Sequence, residues 1–103
     1  MNIFENNFIE KLETIRKNYL KKFVITDIEH FTILKLQEEV GELTQAYLTM
    51  AKMARPRGKT DTELKEAFGE EIADVLCMTL LLANDHRVDV EKAIERKWLK
   101  WLK

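Results

Sequence analysis

The chain contains very few residues that interrupt helices or form covalent cross-links. Its 103 residues include three glycines, one proline and one cysteine. So few turn-forming residues exclude a fold of many short strands and favour long helices. The single cysteine, Cys77, has no internal disulfide partner, so a reducing cytoplasm is the expected location.

Three further features exclude whole classes of partner. The formal net charge of -1 argues against a nucleic acid or an anionic membrane surface as the partner. Residues 1–6 lack the basic start and apolar centre of a signal peptide. The longest apolar run, residues 75–83, is about half as long as a membrane span. We therefore expect a cytoplasmic protein that neither crosses a membrane nor binds nucleic acid.

Apolar residues recur at helical spacing in four segments, which predicts an all-α, four-helix bundle-like fold. The segments cover about residues 3–20, 27–53 and 61–86, with a fourth that begins near Asp89. The second and third are long and joined by a short loop, so we expect them to be antiparallel neighbours at the centre of one domain, residues 1–103. The third is apolar nearly all round from residue 72 to 83, which predicts burial against a second subunit in a homodimer or homotetramer.

Helix starts are marked by residues that can cap them. Thr26 with Glu29 fits a capping box at the start of the second helix, and Thr60 with Glu63 fits one at the start of the third. Asp89 can cap the fourth. We expect the second helix to end before the loop that contains Pro56, because proline disfavours helix for the residue before it.

Two pairs of carboxylates stand three residues apart on the two central helices: Glu39 with Glu42, and Glu71 with Asp74. Residues at this spacing share one helix face. Both pairs lie about 20 Å from the connecting turn at 1.5 Å per residue, so all four should converge. Converging carboxylates repel one another unless a hard cation binds them. The alternative is that each pair belongs to a solvated helix face.

The acidic motifs resemble the signature of a known family. Glu38-Glu39-x-x-Glu42, followed by Glu71-x-x-Asp74, is similar to the motif of the MazG-like nucleotide pyrophosphohydrolases of the all-α NTP pyrophosphatase superfamily, over roughly residues 30–97. The resemblance implies Mg²⁺-dependent hydrolysis of nucleoside triphosphates to the monophosphate and pyrophosphate, in the service of clearing non-standard nucleotides. It also implies that Glu39, Glu42, Glu71 and Asp74 are metal ligands, with Mn²⁺ as a substitute metal.

Other site residues follow from the same comparison and from their positions. Glu38 is the candidate for positioning or deprotonating the attacking water, and its alternative is a surface role. Lys35, one turn before Glu39, and Lys97, at a basic position of the family's last helix, are the candidates for binding the triphosphate. Gly41 indicates either close approach of a ligand to the backbone or close helix packing.

The basic residues of the loop, Arg55, Arg57 and Lys59, are placed by the same helical rise about 20 Å from the acids of their own chain. They are therefore expected to act only across a subunit boundary. Two alternatives to the enzyme remain open. One is a non-catalytic helical module that binds a nucleotide or a partner protein. The other is a bundle whose acids bind Ca²⁺ or Mg²⁺ for stability alone.

Overall fold

A computed structural model of the chain describes residues 7–102, which form four α-helices and contain no strand. This confirms the all-α prediction. Residues 3–6 of the first predicted helix lie outside the described part. The helices are α1 (Phe8–Lys22), α2 (Ile28–Met50), α3 (Asp61–Asp85) and α4 (Val90–Lys97), followed by a short 3₁₀ helix, Leu99–Trp101.

The helix starts match two of the three predicted caps. The backbone amide of Thr60 donates to Glu63 Oε1 at 2.9 Å and the amide of Glu63 donates to Thr60 Oγ1 at 3.2 Å, so α3 begins with the predicted capping box. Asp89 caps α4 by accepting from the amide of Lys92. For α2 the prediction of Thr26 was wrong by one residue. The cap is Asp27, which accepts from the amide of His30 at 3.2 Å, because its charge also favours a helix N-terminus.

Three helices end in the same way although no glycine is present at these ends. Val24, Lys52 and Arg87 have φ angles of 51°, 67° and 54°, and each follows the last turn of α1, α2 or α3. After α2, the amide of Met53 donates to Leu48 O and that of Lys52 donates to Thr49 O, which is a Schellman motif. Helix α2 therefore ends before the point expected from Pro56.

The chain packs as two compact units, Asp27–Met78 and Met1–Thr26 with Thr79–Lys103. In the first unit, α2 and the first part of α3 run antiparallel. Near the turn, Lys52 pairs with Asp61, and farther along the ring centroids of Tyr47 and Phe68 lie 5.8 Å apart. Leu64 is buried in this unit. Whether the two units behave as one domain stays a prediction.

The second unit contains α1, the end of α3 and α4. Arg16 on α1 forms two hydrogen bonds with Asp85, at 2.7 and 2.8 Å, and Leu80 and Leu81 are buried. This pair of bonds fixes α1 against the end of α3. Among the helices between residues 7 and 102, none has the length and apolar character needed to cross a membrane.

Candidate metal centre

Helices α2 and α3 bring the predicted acidic residues together. One group of carboxylates consists of Glu38, Glu39 and Glu42, and a second consists of Glu39, Glu71 and Asp74. Within each group, one oxygen from every residue lies within 4.8 Å of the others. Glu39 belongs to both groups. The predicted convergence of the two i,i+3 pairs is therefore confirmed, because the antiparallel helices have matching depth at these positions.

Glu39 is the buried member of the cluster, with 6% of the residue exposed. Its Oε1 lies 3.5 Å from the Nζ of Lys35, but its Oε2 is buried and accepts no hydrogen bond from residues 7–102. Oε2 of Glu71 is likewise buried without an amide, hydroxyl or cationic donor from that part of the chain, although a hydrogen bond with the Glu39 carboxyl acts to lower the pKa of Glu71. A buried carboxylate oxygen without a partner is costly, so both atoms are suited to a ligand.

The pKa values reflect this crowding. Loss of solvation raises the pKa of Glu39 from 4.5 to about 7, and the charges of Glu42 and Asp74 add to the rise. Lys35 acts in the opposite direction. The pKa of Glu71 is also raised, first by burial and then by the same two neighbouring charges. Burial is the larger cause of both raised pKa values, and the neighbouring negative charges add to it.

The donor set fits a hard divalent cation. Mg²⁺ prefers oxygen ligands in octahedral geometry and usually retains several waters, so two or three carboxylates with open positions are sufficient. Glu39 lies between the two groups of oxygens. Glu42 and Asp74 are exposed to solvent, which leaves room for waters or for a phosphate. The carboxylate oxygens, two of them unpartnered, are thus of the type expected of Mg²⁺ ligands. That these residues bind a metal stays a prediction.

Asp74 lies among residues that are apolar in the sequence. It is exposed, and so are nearby Ile72 and Leu76 on the same helix. The cost of burying an ionised group therefore applies to Glu39 rather than to Asp74. A Cβ added at Gly41 would meet nothing within 4 Å, so neither close helix packing nor another close contact is present there within the described residues.

The remaining predicted residues lie in different settings. Glu38 is exposed beside the cluster, and its Oε1 is 3.2 Å from the Nζ of Lys35. Lys35 thus contacts Glu38 and Glu39 and is positioned to neutralise them. Lys97 is an exposed residue in the last turn of α4, in the other compact unit.

An open cavity of about 580 Å³ adjoins the acidic cluster. Glu42 and Glu71 are part of its lining, and so are Arg55, Arg57 and Lys59 of the loop. Helical rise places these cations about 20 Å from the acids, and the structure adds that residues of both sets line one open cavity of the same chain. The side chains are long, and the cavity itself extends along the groove between the helices.

The chain has no match among family models, curated proteins or solved structures with which it was compared. The resemblance to the MazG-like enzymes therefore depends on the acidic motifs and their surroundings.

Proposed function

We propose that the protein is a Mg²⁺-dependent nucleoside triphosphate pyrophosphohydrolase, which releases a nucleoside monophosphate and pyrophosphate. The observation that carries the proposal is the shared position of Glu39. It is a buried carboxylate with one unpartnered oxygen, close to the carboxylates of Glu38 and Glu42 on its own helix and of Glu71 and Asp74 on the next.

The site has the chemistry that such a reaction needs. In this hydrolysis, water adds to the α-phosphorus and the bond from that phosphorus to the bridging oxygen breaks, so that pyrophosphate leaves. Glu38 is exposed and adjoins the cluster, which suits it to orient the water or accept its proton. Lys35 holds Glu38 and Glu39 in place. When bound, Mg²⁺ supplies charge neutralisation for the triphosphate and acidifies a water.

The proposal includes assembly into a homo-oligomer. Exposed apolar side chains on α2 and α3 support this part. On α2, Ile33, Val40 and Tyr47 recur every seven residues with 38–50% exposure, and on α3 Ile72 and Leu76 are 44% and 43% exposed. Exposed apolar residues at such regular spacing suit a helix–helix contact between subunits. Light scattering tests this part, and a mass equal to one chain contradicts it.

The cytoplasmic location and the clearance of non-standard nucleotides belong to the same proposal and follow from the resemblance and from the lone cysteine. The alternative in another class, a non-catalytic nucleotide-binding or partner-binding module, is favoured by no feature of the site. A purely structural metal site predicts that Mg²⁺ raises the melting temperature while no nucleotide is hydrolysed.

The test is release of pyrophosphate from a panel of standard and modified nucleoside triphosphates, with Mg²⁺ and with EDTA. We expect release only with the metal, and a loss of at least about 100-fold in Glu71→Gln, which removes a charged ligand but keeps the side-chain shape. Glu66→Gln is the matched control, because Glu66 is an exposed acid on the same helix outside both acidic groups. Equal release by wild type and Glu71→Gln contradicts the proposal.

A further inference from the structure

The cavity beside the acidic cluster has two parallel walls. One wall follows α2 from Glu42 to Thr49, and the other follows α3 from Leu64 to Glu71. Each wall spans eight residues, or about 10 Å of helix. Ala46 and Ala67 line it midway and leave the groove open. A volume of about 580 Å³ lies within the range of cavities that bind small molecules.

The two ends of this cavity carry opposite charge. Glu42 and Glu71 stand at one end, next to buried Glu39, and Arg55, Arg57 and Lys59 belong to the loop at the other end. None of these three cations forms an ion pair with a carboxylate of the described residues; the cation nearby that does so is Lys52, with Asp61. The pKa of Glu63 is lowered by hydrogen bonds from Thr60 and also by the charge of Lys59, so Lys59 is partly offset. The loop still presents net positive charge to the cavity.

A ligand that matches the cavity must itself have two different ends. A simple anion is repelled by the carboxylates, and a simple cation is repelled by the loop. A polyphosphate that carries a divalent cation at one end satisfies both, because the cation meets the acids and the free phosphates meet the basic side chains. Arginine suits this role through paired hydrogen bonds to phosphate oxygens, and lysine acts as a point charge.

We infer that Arg55, Arg57 and Lys59 bind the terminal phosphates of the substrate, the part that leaves as pyrophosphate, within the same chain whose acids bind the metal. The inference rests on the proposed function and adds the phosphate-binding residues to it. It assigns phosphate binding to the loop, whereas the sequence predicted this role for Lys35 and Lys97. Lys35 already contacts two carboxylates, whereas the loop cations line the cavity without such contacts.

The experiment is calorimetric titration of the full chain with pyrophosphate in the presence of Mg²⁺. The variant is Arg57→Gln combined with Lys59→Gln, which removes two positive charges from the cavity. The matched control is Lys65→Gln combined with Lys92→Gln, which removes two charges from exposed residues that do not line the cavity. Circular dichroism establishes that both variants are folded.

We expect the dissociation constant for pyrophosphate to rise at least about tenfold in the cavity variant and less than about twofold in the control. An equal change in the two variants overturns the inference, and so does a wild-type chain that binds no pyrophosphate at millimolar concentration. If wild type binds pyrophosphate through the loop but hydrolyses no nucleotide, the proposed function fails while the binding site stands. If it hydrolyses nucleotides and the loop variant binds pyrophosphate normally, only the inference fails.

Discussion

Removing the charge of Glu39 should stabilise the protein when no metal is present. The folded chain raises the pKa of this carboxyl from 4.5 to about 7, so the folded state holds its proton more tightly than the unfolded state does. By linkage, the stability associated with this proton is complete below about pH 4.5 and is lost as the pH rises through about 7. The full change amounts to at most about 3 kcal/mol.

Glu39→Gln keeps the shape of the side chain but cannot ionise. Its free energy of unfolding should therefore match that of wild type near pH 4.5 and exceed it by up to about 3 kcal/mol at pH 8. The groups that face this position are Glu38, Glu42, Glu71, Asp74 and Lys35, and all are unchanged in the variant. The assay is urea unfolding in EDTA at several pH values.

Added Mg²⁺ should make wild type more stable than Glu39→Gln at pH 8. In wild type the bound cation stabilises ionised Glu39, whereas the variant binds the cation more weakly because it lacks this ligand. Glu66→Gln, an exposed acid outside the cluster, should behave as wild type throughout. A variant that is less stable than wild type at pH 8 in EDTA, or a difference that does not change with pH, would refute the reasoning.

Three further substitutions test the fold. Val24→Gly should raise the free energy of unfolding by about 1 kcal/mol, since Val24 is a β-branched residue with φ of 51°; an unchanged urea midpoint contradicts this. Asp89→Ala should lower it by about 1 kcal/mol through loss of the α4 cap, seen also as reduced helical circular dichroism, while retained ellipticity and midpoint would count against the cap. Asp85→Asn should cost about 1 kcal/mol, because it removes the charge of the carboxylate that accepts two hydrogen bonds from Arg16 while Glu13 stays nearby; a double-mutant cycle with Arg16→Met checks the coupling, and additive effects show that there is none.

The convergence of the acids could be predicted from the sequence because it depends on two regular quantities. The helical period places Glu39 and Glu42 on one face, and the short loop sets the depth at which they meet Glu71 and Asp74. Burial could not be predicted in the same way. It depends on the rotation of the packed helices, and this rotation buries Glu39 and leaves Asp74 exposed.

Helix ends and cavity walls were harder to foresee for a local reason. Left-handed residues at helix ends are usually glycine, so Lys52 gave no signal that α2 ends there. The cavity depends on the width of the groove at small residues such as Ala46 and Ala67 and on the reach of the loop side chains. Neither the width of the groove nor the reach of the side chains can be calculated from the rise per residue along a helix.

The most direct test of the central claim is a phosphorus-31 NMR spectrum of a nucleoside triphosphate incubated with the protein and Mg²⁺. Catalysis by the acidic cluster predicts resonances of the nucleoside monophosphate and pyrophosphate, which disappear with EDTA or with Glu71→Gln. Resonances of the diphosphate and orthophosphate, or an unchanged triphosphate across a broad panel of bases, would contradict the claim that this site is a pyrophosphohydrolase.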